Sequence, residues 1–220
     1  MDWEEIVRRE ERRYRDGDSR VREIPDADQR QRQLTRMGNA AGGAGLACLM
    51  LRRSDQAATW FGRAAERYRE SWDDAPPGSW GRPIGAIKAR ILAGDWAGAE
   101  GDARWALDAG ATEAESPIGR YAGCLALLVL GADHDARHLA GTLRDRDDFP
   151  PPVADAVATI AAGDRVGYLV AAENVLDSFE RREDYLEDVA VADTVLVMQA
   201  LAARRDLAVD LPDSPLLPPT

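Results

Sequence analysis

By type and spacing, the residues best suited to chemistry are His134 and His138, in the run Asp133-His134-Asp135-Ala136-Arg137-His138. Four positions apart on a helix, two imidazoles share one face, a spacing that metal-binding helices use. A helical zinc protease carries glutamate next to its first histidine as general base, and here Asp135 stands in that place. These are the only two histidines in the chain, so a complete metal site would have to draw on carboxylates. The plainer account is an exposed pair at a helix start among aspartates. A helical enzyme or metal-binding protein using His134, His138 and nearby carboxylates is therefore kept as the alternative, and no cofactor is expected.

Other nucleophiles fit structural roles. Ser54 and Ser116 precede helical patterns as N-caps. No serine lies in the strand–turn–helix elbow that exposes a catalytic hydroxyl. Cys48 and Cys124 sit inside apolar helical patterns and are expected as buried, reduced thiols with no electropositive setting to activate them. Gly42, Gly43 and Gly45 could suggest a phosphate loop, but no Lys-Ser/Thr follows and no strand precedes. Close helix–helix approach accounts for them. Asp193 interrupts the apolar run Val189–Met198, and a carboxylate buried there would need a partner, with Arg181 and Arg182 as candidates. An exposed helix stripe and a functional acid are the other accounts of Asp193. No catalytic residue emerges, and the chain reads as a non-enzyme.

Charge narrows the partners. There are 39 acidic residues against 28 basic ones, a formal net charge of -11, and Lys88 is the only lysine. Asp outnumbers Glu by 25 to 14, which suits a carboxylate surface that stays hydrated in a halophilic host. Such acidity argues against nucleic-acid binding, which needs basic phosphate contacts. The arginine-rich start does not change this, because residues 1–36 hold ten arginines and ten acids. The longest apolar run, Cys124–Leu130, is too short to span a membrane. Met1 leads directly into Asp2-Trp3-Glu4-Glu5, so a cytoplasmic location is expected. Trp and Arg dominate interface hot spots, and both concentrate between residues 60 and 105. Trp60, Arg63, Arg67, Trp80 and Arg82 are the candidates for a partner-binding face, the competing account being ordinary packing between helices.

The elements that must position these residues read as helices throughout. Apolar spacing of three and four predicts helices at 2–15, 28–52, 55–72, 81–93, 96–109, 117–130, 134–145, 153–162, 164–183 and 188–205. The proline-rich tail, 207–220, is expected to be irregular. The fold class is all-α, one domain spanning 1–220, with antiparallel hairpins stacked as a short array or a compact bundle. Gly45, Ala57, Phe61 and Ala64 resemble a tetratricopeptide hairpin, whose small residues admit close approach and whose aromatic fills the groove. Ala99, Ala103 and Ala106 repeat the last three positions, as do Ala136, Ala140 and Leu143. The intervals of 42 and 37 residues depart from a strict tetratricopeptide period.

The C-terminal section runs Phe179-Glu180-Arg181-Arg182-Glu183-Asp184-Tyr185-Leu186, then Val191–Leu196, Ala200–Arg205 and Ser214-Pro215-Leu216-Leu217-Pro218. It resembles the end of the immunity-protein-49 family, helical proteins that are thought to protect bacteria from polymorphic toxins. The resemblance implies a stoichiometric toxin binder that works by occlusion, and it places no binding residues. The expected function is thus a protein-interaction module, an immunity protein in its finer form, with a partner that is a protein and basic. A housekeeping assembly scaffold is the remaining alternative.

Overall fold

The computed structural model describes residues 1–219, and every regular element in them is helical. The α-helices are α1 (Trp3–Val21), α2 (Ala27–Met50), α3 (Ser54–Glu70), α4 (Gly81–Leu92), α5 (Trp96–Asp108), α6 (Pro117–Val129), α7 (Asp133–Arg144), α8 (Pro151–Ala162), α9 (Arg165–Glu180) and α10 (Asp193–Ala203). A single 3-10 turn, Leu186–Asp188, lies between α9 and α10. The all-α expectation holds, and the tail beyond Leu207 carries no helix among the described residues. No helix there is long and apolar enough to cross a membrane.

Packing gathers the helices into two compact units. The first holds Met1–Asp95, together with Asp184–Val191 and the chain end from Leu217 onward. In it α1 packs on α2, α2 on α3 and α3 on α4. The second holds Trp96–Glu183 and Ala192–Leu216, and each of its helices from α5 to α10 packs on the next.

Local chemistry sets five of the helix starts. Asp2, Asp26, Ser116 and Asp164 each accept the backbone N–H three residues on, satisfying an amide that the helix itself leaves unpaired. Pro117 and Pro151 occupy first-turn positions, where proline's missing N–H is no loss.

Three departures from the sequence pattern have a local cause. Ser54 is not a cap. Arg52 turns the chain in the left-handed region (φ 59°), helical geometry begins at Ser54 itself, and Arg53 takes the cap position without a side-chain cap bond. Helix α1 continues to Val21 because Gly17 does not end it. Gly17 is buried against α2, where an added Cβ would lie 2.5 Å from Met37 Cγ. Helix α10 starts at Asp193 rather than near Asp188. Glu187 and Asp188 both have positive φ (57° and 54°), which no continuing α-helix accepts.

The hairpin signature corresponds to real packing. Phe61 is 2% exposed, and its ring lies so close to α2 that a Cβ on Gly45 would sit 2.7 Å from it. Ala57 and Ala64 flank it, fully buried. In the second unit Ala99, Ala103, Ala106, Ala136 and Ala140 are likewise inaccessible, and Leu143 is 1% exposed. The glycine run is only partly explained by close approach. Gly43 and Gly45 are crowded, whereas Gly42 has nothing within 4 Å of an added Cβ.

This contrast predicts opposite effects from one chemical change. Gly42→Ala should stabilise the fold by up to about 1 kcal/mol through helix propensity. Gly45→Ala should destabilise it by about 1–3 kcal/mol, because the Phe61 ring must move in a filled core. Urea unfolding of both variants measures the difference, and equal shifts would contradict the packing.

Candidate functional site

Helix α7 turns Ala136, Leu139, Ala140 and Leu143 inward and leaves His134, Asp135 and His138 exposed. The two histidines share one face, as their spacing predicts. With Asp135 they form one side of a cleft of about 770 Å³. Leu107 and Asp108 at the end of α5, and Thr112 and Glu113 in the turn after it, form the other side. The apolar floor consists of Leu127 and Leu139, both buried, and half-buried Leu107. Asp108, Glu113 and Asp135 are exposed at the rim. No lysine or arginine lines the cleft. Among the described residues, no group of three or more His, Cys, Asp or Glu is placed to hold a metal ion.

The basic residues of α7 face elsewhere. Arg137 and Arg144 line a separate cavity of about 310 Å³ with Thr159 and Asp164. Arg144 also pairs with Asp155 at 2.7 Å. The helix therefore segregates its charge, with Asp135 and the two imidazoles toward the cleft and Arg137 and Arg144 away from it. Asp133, its first residue, is held by Arg205, whose Nε lies 3.1 Å from both carboxylate oxygens.

The tryptophan and arginine candidates are engaged within the chain. Trp60 is buried and meets Tyr14 of α1 edge-on, ring centres 5.5 Å apart. Arg63 lies over the Trp60 ring at 4.5 Å. Arg67 donates to the Tyr14 hydroxyl at 3.1 Å and pairs with Asp18 at 2.8 Å and Glu70 at 2.6 Å. Trp80 packs on Trp72 at 5.7 Å, and Arg82 donates to Ser71 Oγ at 3.1 Å and to the Gln31 side-chain oxygen. Of the five, only Arg63 is an exposed residue.

A polar cluster in the first unit escapes the sequence pattern. Glu10 has no solvent access. Its carboxylate meets Arg9 Nε at 2.6 Å and Arg13 at 2.9 Å. Arg13 also pairs with Glu187, and Arg9 donates to the Glu187 backbone carbonyl. Asn39 donates to Glu187 Oε1 at 3.1 Å and accepts from the Tyr68 hydroxyl at 2.9 Å. Gly43 makes room for this, since a Cβ there would lie 3.3 Å from both Glu10 Cγ and Val189 Cγ2. Glu10 and Arg13 have the spacing of an ordinary surface pair, and Glu187 lies 178 positions beyond Arg9, so no local pattern marks the group.

The remaining candidates are quiet. Cys48 and Cys124 are buried free thiols. Burial raises both, Cys124 to about 12. Asp193 is half-buried in the first turn of α10, where helix amides favour a carboxylate. Arg181 pairs with Asp177, and Arg182 lies 3.6 Å over the Phe179 ring. Tyr121 is buried, with no hydrogen-bond partner for its hydroxyl among the described residues, and burial, reinforced by the charge of Asp193, holds it protonated. Comparison with protein-family models, curated proteins and solved structures finds no match to this chain.

Two outcomes follow. A thiol reagent at mildly alkaline pH should label neither cysteine in the native state and both after unfolding in guanidinium, because a raised thiol pKa and burial both withhold the thiolate. Glu10→Ala should lower stability by about 2–3 kcal/mol, somewhat under the loss for a fully enclosed pair because Arg9 and Arg13 reach solvent. Denaturant titration reads that loss, and a change no larger than a surface substitution would show that the cluster is not stabilising.

Proposed function

We propose that the chain is a non-enzymatic protein-interaction module that seats part of a partner in the cleft between α5 and α7. The lining supports this reading: a leucine floor lies inside an open carboxylate rim. Apolar pockets edged by a few polar groups are the usual form of a binding site. The net charge of -11 favours a basic partner and would raise the rate of encounter with one.

The finer form of this proposal is an immunity protein, a stoichiometric blocker of a toxin. It is supported by the C-terminal resemblance at Phe179–Leu186 and Ser214–Pro218 and by the acidic surface. A housekeeping scaffold has the same surface needs and differs in its partner. The alternative of a helical enzyme or metal-binding protein rests on His134 and His138 standing among Asp108, Glu113 and Asp135 in the same cleft. Calorimetric titration with zinc tests it directly, and heat lost on replacing both histidines would favour it.

The main proposal is tested by affinity capture from host lysate with the wild-type chain and with Thr112→Trp, which puts an indole into the cleft. The wild type should retain one stoichiometric basic protein, and the variant should lose it. Equal retention by both would remove the cleft as the seat. The absence of any stoichiometric partner with a folded bait would count against the module itself.

A further inference from the structure

We infer that the segment seated in this cleft is cationic, an apolar side chain flanked by arginine or lysine. The inference rests on the docking reading above and adds the chemistry of the occupant. Three separate elements deliver carboxylates to one rim: Asp108 from α5, Glu113 from the following turn, and Asp135 from α7. With neutral imidazoles, three carboxylates and no lysine or arginine give the lining a formal charge of -3. None of the three has an ion-pair partner among the described residues.

The arginines of the second unit do not line the cleft, and most of them are engaged with other groups. Arg104 pairs with Glu100 at 3.1 Å, Arg120 donates to the Ala114 carbonyl at 2.9 Å, and Arg146 pairs with Asp148 at 2.7 Å. Arg137 and Arg144 line the other cavity, and Arg205 is held by Asp133. An acidic or phosphorylated segment would meet three unpaired carboxylates and be repelled. A purely apolar segment would leave the rim unanswered, though it could fill the floor made by Leu107, Leu127 and Leu139. A cationic segment with an apolar anchor answers both parts, and the cleft, at about 770 Å³, has room for more than one side chain. His134 and His138 stand at the same rim as further hydrogen-bonding groups.

The test uses a short fluorescein-labelled peptide of alternating leucine and arginine, and its leucine–glutamate counterpart, read by fluorescence anisotropy on the full chain. Because any acidic protein attracts a cationic peptide, two variants with equal charge change are compared. One neutralises the rim (Asp108→Asn, Glu113→Gln, Asp135→Asn). The other neutralises exposed acids outside the lining (Glu173→Gln, Asp210→Asn, Asp213→Asn). All six positions are exposed, and circular dichroism melts are the check that both variants fold. The arginine peptide should bind wild type and the distant variant alike and lose roughly tenfold or more with the rim variant, as three partly exposed ion pairs would give together. Equal loss in both variants, or equal binding of the leucine–glutamate peptide in the cleft, overturns the cationic occupant while the docking reading stands. Arginine-peptide binding that survives Thr112→Trp shows a different seat and overturns the docking reading itself.

Discussion

Helices that meet through alanine and glycine can approach until backbone and ring are in contact, and once there nothing larger fits. That constraint runs through both units. Ala41, Ala44, Ala57, Ala64 and Ala86 in the first, and Ala99, Ala103, Ala122, Ala136 and Ala140 in the second, are completely inaccessible. Each buries little area, so the small residues alone contribute modestly to stability. They admit the larger groups, Phe61 against Gly45 and the Tyr68 ring against Gly38 and Gly85, to contact distance, where dispersion across a filled interface is greatest. Because such an interface has no slack, the register of each helix on its neighbour is set, and with it the direction in which exposed side chains point.

The Glu10 cluster depends on the same closeness. A carboxylate without water is costly unless charge and hydrogen bonds replace the lost solvation. Arg9 and Arg13 supply the charge, and Gly43 leaves the space in which the side chain lies. The two arginines then hold Glu187 as well, so a segment distant in sequence is joined to α1 and α2 within the first unit. Glu187, in the segment between α9 and α10, has positive φ and its side chain meets Arg13 and Asn39.

In the second unit the important division is on α7. Its buried stripe of Ala136, Ala140 and Leu143 orients the helix, and its outer surface then splits into an acidic and imidazole side and a guanidinium side. This gives the chain a cleft with a definite sign of potential, and such local arrangement selects partners more sharply than net charge does. The Trp and Arg residues put forward for a binding face join α1 to α3 and pack around the start of α4. Aromatic faces and guanidinium forks suit an interface within a chain as well as one between chains, and composition does not tell the two apart.

The sequence by itself determined a great deal of the fold. Apolar spacing located all ten helices, and the Gly45, Ala57, Phe61, Ala64 pattern identified a real interhelical contact. It also placed His134 and His138 on one face and both cysteines in the core. These features follow from local periodicity, in which 3.6 residues make a turn and neighbouring side chains decide burial. Only the tertiary structure decided that Gly17 lies inside a helix, that Ser54 is not a cap, and that Glu10 is buried with Glu187 beside it. Only it brought Asp108, Glu113 and Asp135 around the leucine floor. Those outcomes depend on residues from different elements meeting in space. The energy of a buried charge or an open carboxylate rim is set by those neighbours, which no local period encodes.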